Sequence, residues 1–277
     1  MGRRQNSYRT IWISDLHLGT RGCKAELLID FLKRHDFETL YLVGDVVDGW
    51  RLRRSPYWNA AQSRVVQHLL KRARKDGNVV LVPGNHDEAL RDYVGYDFGG
   101  ISLVKEAEHT TVDGKRLWVV HGDQFDGVMH GHKWLAILGD HAYQFALRVN
   151  HVYNWWRKVR GKPYWSLSQY LKNKVKNAVD FIFEFEQQLA HHAKKRGFDG
   201  VVCGHIHRAE IREIDGILYA NDGDWVESCT ALVEHDDGRL EILDWPSICA
   251  ARAADEAQAV LVRETKVLEF EEEEAEA

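Results

Sequence analysis

Cysteine is scarce in this chain of 277 residues, and what there is lies badly spaced for chemistry. The four present, Cys23, Cys203, Cys229 and Cys249, include no CxxC pair. That spacing argues against a disulfide framework and a thiolate metal site, and fits reduced, mostly buried thiols of a cytosolic protein. Long apolar runs are also missing. No stretch approaches the roughly 18 uninterrupted apolar residues of a membrane span. The opening MGRRQNSYRT is basic, but no apolar run follows it to make a signal peptide. The expected location is therefore cytoplasmic. Excess positive charge is absent too: the formal net charge is -5, which argues against a dedicated nucleic-acid binder. A hydrophobic share of 44% and a charged share of 29% are ordinary for a globular chain long enough for one sizeable core and an elaboration.

One pattern repeats along the chain. Short apolar runs at 10–13, 40–43, 79–82, 117–120 and 200–203 each end in Gly, Asp, Asn or His. Such runs read as strands buried on both faces. Between the first two, KAELLIDFLKRH puts Leu28, Phe31 and Leu32 on one helical face; QSRVVQHLLKRARK does the same with Val65, Val66, Leu69 and Leu70. Strand alternating with helix predicts an α/β core. Asp113-Gly114, Asp215-Gly216 and Asp237-Gly238 predict hairpins, so the sheets should be mixed, as in a two-sheet sandwich with helices outside. The expected division is 1–123 and 199–249 as two parts of one core, 124–198 as a helical cap insertion, and 250–277 as an acidic tail without fixed structure.

Five polar motifs sit just past the five apolar runs: Asp15-Leu16-His17, Gly44-Asp45, Gly84-Asn85-His86-Asp87, His121-Gly122-Asp123 and Gly204-His205-Ile206-His207. Ligands of α/β sheets bind beyond the carboxyl ends of strands, so these motifs should meet in one site. Oxygen and imidazole donors without cysteine suit Mn²⁺, Fe²⁺ or Zn²⁺. In Asp15-x-His17 and His205-x-His207, a two-residue step on extended backbone would put both side chains on one face. The glycines before Asp45, Asn85 and His205 permit sharp turns and close approach.

The ordered set DxH, GD, GNHD, HGD, GHxH resembles the signature of the calcineurin-like metallophosphoesterases, over about residues 1–125 and again 199–245. The resemblance implies a fold of two mixed β-sheets flanked by helices and two divalent metal ions, with Mn²⁺ the first choice. It implies Asp15, His17 and His207 on one ion, Asn85, His121 and His205 on the other, and Asp45 shared between them. Two such cations clamp a phosphoryl group and activate water. His86, beside Asn85, is the candidate catalytic residue, stabilising charge on the phosphoryl oxygens or protonating the leaving group. Asp87 and Asp123 are expected to orient histidines.

The substrate has to be read elsewhere. From Arg148 to Lys176 the chain carries eight Lys or Arg, six Trp or Tyr and no acidic residue. Trp155, Trp156, Tyr164 and Trp165 among these cations suit an anionic membrane surface, or single-stranded nucleic acid. A second basic-aromatic stretch, Trp50–Trp58, follows Asp45 and Asp48. The run GDVVDGW, the helical insertion after HGD and the Ser- and Lys-containing helix before GHIHR are similar to the UDP-2,3-diacylglucosamine diphosphatases of lipid A synthesis. That resemblance implies cleavage of the substrate's pyrophosphate to UMP and a lipid 1-phosphate, peripheral location at the inner face of the cytoplasmic membrane, and Ser166, Ser168, Lys172 and Lys176 as substrate contacts. One position departs: well-known members carry Arg where this chain has His86. Another lipid-linked diphosphate, a nucleotide, nucleic acid or a phosphoprotein is the alternative substrate, and a binding scaffold without activity the alternative role.

Overall fold

A computed structural model describes residues 7–75, 78–128 and 167–258. Two sheets carry the fold. The first holds β1 (Ser7–Ile13), β2 (Asp36–Val43), β3 (Asn78–Val82) and β4 (Ile101–Leu103), with β10 (Thr230–Glu234) and β11 (Leu240–Asp244), in the order β11-β10-β1-β2-β3-β4. Strands β1 to β4 run parallel, whereas β10 joins β1 antiparallel and β11 joins β10 antiparallel. The second sheet holds β5 (Ala107–Thr110), β6 (Arg116–Val119), β7 (Gly200–Cys203), β8 (Glu210–Ile214) and β9 (Ile217–Asn221), in the order β5-β6-β7-β9-β8. Its inner pairs are parallel and its outer pairs antiparallel. Each of the three Asp-Gly dipeptides joins an antiparallel pair, as expected.

The apolar runs are continuous because both faces of each strand are covered. Ile11 and Ile13 of β1, with Leu40 and Leu42 of β2, pack under α1 (Ala25–Arg34) and α3 (Ala60–Lys75). The residues between them, Trp12, Tyr41 and Val43, point the other way and meet Leu117, Val119 and Val202 of the second sheet. Trp118, Val201 and Cys203 face outward again, against Phe185, Leu189, Ala190 and Ala193 of α4 (Leu167–Lys195). The layers are therefore helix, sheet, sheet, helix, with period-two alternation assigning each side chain to its layer. Fully buried Leu, Ile, Val and Phe side chains contribute about 1.5–3 kcal/mol each, and each of the three interfaces holds several such residues. Helix α1 buries Leu28, Phe31 and Leu32 as its spacing predicts; α3 buries Val65 and Leu69, while Val66 and Leu70 are only partly covered.

Two expectations meet limits here. Residues 245–258 are helical, so the boundary expected at 250 falls inside a helix. Trp155, Trp156, Tyr164, Trp165 and Ser166 of the expected cap lie outside the described residues, as does the acidic end from 259. Ser168, Lys172 and Lys176 fall on α4, whose side chains are described from 179 onward.

Candidate metal centre

Five strands end within reach of one point. After Ile13, Val43, Val82, Val119 and Cys203 the chain turns out of its sheet, and the five polar motifs follow at once. Backbone bonds tie these exits together: Asp15 N donates to Gly44 O (3.0 Å), His17 N to Asp45 O (2.9 Å) and Gly204 N to His121 O (3.2 Å). The exits are sharper than an extended step. Asp15 (φ 51°), His17 (φ 44°), Asp45 (φ 52°), His205 (φ 71°) and His207 (φ 55°) all lie in the left-handed region. The expectation of an extended two-residue step in Asp15-x-His17 and His205-x-His207 is thus corrected. A flat strand would send the chain on past the site, whereas left-handed residues curl it round so that each pair converges. For a residue with a Cβ this conformation costs about 1–2 kcal/mol.

The side chains form overlapping groups. Ligand atoms of Asp15, His17 and His207 lie within 4.8 Å of one another, as do those of Asp45, His121 and His205, and those of His17, Asp45 and His86. Asp45 joins them with its two oxygens: Oδ2 faces His17 Nε2 at 3.9 Å, and Oδ1 faces His121 Nε2 at 3.5 Å. His121 donates Nδ1–H to Val43 O (2.7 Å), which turns Nε2 inward, 3.3 Å from His205 Nδ1. His207 Nε2 stands 3.0 Å from Asp15 Oδ1. Asn85 follows Gly84, where a Cβ would collide with Asp45 Oδ1. A Cβ on Gly204 would likewise strike Ser14 Oγ, so both glycines are needed for close approach.

This donor set fits divalent cations. Asp15 Oδ1 and Asn85 Oδ1 are buried without a well-aligned hydrogen-bond donor among the described residues. Unmet acceptors in a buried place are costly, and a cation answers several at once. Four imidazoles, two carboxylates and one amide oxygen are the ligands that Mn²⁺, Fe²⁺ or Zn²⁺ accept.

Electrostatics point the same way. Burial would lower the pKa of His17, but hydrogen bonds to Asp15 and Asp48 and the charges of Asp15 and Asp45 override it and lift it to about 10. His121 also reaches about 10: burial opposes the rise, and the Asp45 hydrogen bond and charge, with Asp15, produce it. Asp15, despite its burial, is held well below the usual carboxylate range by His207 and His17, and Asp45 is lowered by His121. Without metal the centre therefore stores protons on His17 and His121 at pH 7, and arriving cations must displace them. Mn²⁺ uptake should release at least one proton, so affinity should rise with pH by about tenfold per unit for each proton displaced. Calorimetry in buffers of different ionisation heat reads this directly; heats independent of the buffer would contradict it.

Histidine orientation falls to a residue the motif reading passed over. Asp48 Oδ2 accepts from His17 Nδ1 (3.2 Å) and lies 3.1 Å from His86 Nδ1, while its Oδ1 caps α2 (Gly49–Arg54) through Arg51 N (2.8 Å). Its signal was available: an acid three residues after Asp45, immediately before a helix start. Asp87 and Asp123, expected to orient histidines, have other partners. Asp87 takes Gly84 N (2.6 Å) and Val46 N (2.7 Å), bracing the two turns that carry Asn85 and Asp45; Asp123 pairs with Arg91 (2.7 Å). Their carboxylates reach amides and a guanidinium first. His86, a quarter exposed, lies between Trp50 (ring centroids 4.3 Å) and His17 (4.7 Å), with Nε2 3.9 Å from Asp45 Oδ2. It is thus a partly open imidazole beside the buried cluster.

The family model described as calcineurin-like phosphoesterase matches residues 8–209. A UDP-2,3-diacylglucosamine hydrolase of Haemophilus influenzae (strain PittGG) is 24% identical over 243 residues, covering 82% of this chain and 94% of that protein. A protein of the same description from Neisseria meningitidis serogroup B is 23% identical over 250 residues, covering 83% of this chain and 95% of its own. Among solved structures, an archaeal phosphodiesterase superposes with a TM-score of 0.42 at 14% identity, over 84% of this chain and 98% of that one.

Proposed function

The chain belongs to the calcineurin-like phosphoesterase family and is a metal-dependent phosphoesterase, and from that premise we propose that it hydrolyses the pyrophosphate of UDP-2,3-diacylglucosamine to UMP and a lipid 1-phosphate. One observation carries the proposal: two relatives described as UDP-2,3-diacylglucosamine hydrolases align over 94% and 95% of their own length and over 82% and 83% of this chain. In this reading Asp15, His17 and His207 hold one cation, Asn85, His121 and His205 the other, and Asp45 both. Manganese is the proposed metal. When bound, the cations supply Lewis-acid clamping of the phosphoryl oxygens and acidify water.

The chain's own residues do the rest. Asp48 fixes the ring of His17 and lies 3.1 Å from His86 Nδ1, and His86 presents its imidazole to the phosphoryl oxygens or the leaving group. Asp87 keeps the turns of Asp45 and Asn85 in register. Exposed Trp50 and Trp58, with exposed Arg51, Arg53 and Arg54 between them, suit an amphipathic substrate bearing phosphate and acyl chains, met at the inner membrane surface. Ser166, Ser168, Lys172 and Lys176 are the proposed substrate contacts. A different lipid-linked or nucleotide diphosphate is the second reading, favoured by His86 where well-known lipid A members carry Arg.

Purified protein with Mn²⁺ and UDP-2,3-diacylglucosamine should release UMP. No UMP, alongside turnover of another diphosphate, selects the second reading.

A further inference from the structure

Ser14 precedes Asp15 and carries one hydroxyl proton, yet it faces three acceptors. Its Oγ lies 2.6 Å from Asp15 Oδ2, 2.6 Å from Asp222 Oδ1 and 3.2 Å from Gly223 O. One proton cannot occupy both of the short contacts, and two oxygens that close without a proton between them repel. A second proton must therefore sit somewhere on the chain Asp15–Ser14–Asp222.

Asp15 is a poor host for it. Its Oδ2 already accepts from His205 N (2.8 Å), and its Oδ1 faces His207 Nε2 at 3.0 Å. Asp222 is a good host. It is fully buried, and its Oδ2 has no hydrogen-bond donor among the described residues, a setting that suits a neutral acid and not a carboxylate. Burial, and then the charge of Asp15, raise its pKa well above the usual carboxylate range, although the Ser14 hydrogen bond opposes them.

The backbone around Asp222 is pinned. Asp222 N donates to Cys203 O (3.1 Å), Thr230 Oγ1 donates to Asp222 O (2.8 Å), and neighbouring Asn221 Nδ2 donates to Gly204 O (2.7 Å). The end of β9 is thereby fastened to the turn that carries His205 and His207. Asp222 has no place among the five metal motifs.

We propose that Asp222 is a positioning residue: as a neutral carboxylic acid it donates to Ser14, whose hydroxyl donates to Asp15 Oδ2, so that Asp15 presents Oδ1 to the metal. The proposal rests on the reading of Asp15 as a metal ligand. Groups that orient a metal ligand in this way change metal affinity by about 10- to 100-fold when removed.

Two measurements test it. Infrared spectra of metal-free protein at pH 7 should contain the C=O band of a protonated carboxyl group that disappears in Asp222→Asn; a wild-type spectrum without that band overturns the proposal. In chelator competition for Mn²⁺, Ser14→Ala and Asp222→Ala should bind about 10- to 100-fold more weakly, whereas Asp222→Asn, whose amide still donates to Ser14, should recover most of the affinity. Folded Ser14→Ala with wild-type affinity, or Asp222→Asn binding as weakly as Ser14→Ala, overturns it, and neither comparison needs Asp222→Ala to fold. Failure of wild-type protein itself to take up Mn²⁺ would instead refute the ligand reading of Asp15, and the positioning role with it.

Discussion

Asp45→Ala is expected to lose both metal ions and to lower turnover by about 10³-fold or more, some 4 kcal/mol of barrier. Asp45 stands in two of the three groups, with His17 and His86 in one and with His121 and His205 in the other, and His17 carries the chain on to Asp15 and His207. With its carboxylate gone, His17 and His121 lose the shared counter-charge that lifts their pKa, so the metal-free variant should hold fewer protons at neutral pH. The carboxylate also accepts His86 N (2.8 Å), and its loss frees the turn that carries Asn85. Elemental analysis beside steady-state kinetics checks the expectation, with a melting curve to show that the variant folds. Two metal ions per chain and turnover within tenfold of wild type would sink the shared-ligand role.

His86→Ala should behave differently: kcat falls by about 10²- to 10⁴-fold, the usual range for a positioned acid–base side chain, while metal content stays near wild type. His86 touches the centre from the outside. Its ring is wedged between Trp50 and His17 and lies close to Asp48, which keeps its bond to His17 when the ring is removed. His86→Arg separates the two roles open to this residue. If His86 stabilises charge on the phosphoryl oxygens, a guanidinium restores much of the rate; if it protonates the leaving group, Arg does not, because it holds its proton at all working pH values. Loss of metal in His86→Ala would assign it to the ligand set.

Much of this was legible beforehand, for a physical reason. Strands buried on both faces leave unbroken apolar runs, and Ile11, Trp12 and Ile13 are simply read off, even though they serve two different interfaces. Turn chemistry is local as well, so three Asp-Gly dipeptides locate three antiparallel pairs. The choice of partner by a carboxylate is not local. Asp87 adjoins His86 in the chain and yet binds the amides of Gly84 and Val46; Asp48, named only as preceding a basic-aromatic stretch, lies against two histidines. Asp222 is further removed still, since its tie to Asp15 passes through a hydroxyl some 208 positions away. Such pairings depend on where the sheets bring distant turns; spacing marks Asp48 as the cap of a helix, not the histidines it meets.

The five left-handed residues of the centre also bear on how this protein would respond to selection. Glycine adopts that conformation with little strain, so glycine at 15, 17, 45, 205 or 207 would relax the backbone where Asp or His now strains it. Each such change would relieve that strain in the metal-free chain and would delete a proposed ligand in the same step. A library screened for thermal tolerance alone should therefore drift toward glycine at these places and forfeit hydrolysis as it gains robustness. Screened for turnover, the same library should hold the strained residues fixed and find its stabilising changes elsewhere, in the helices and outer strands.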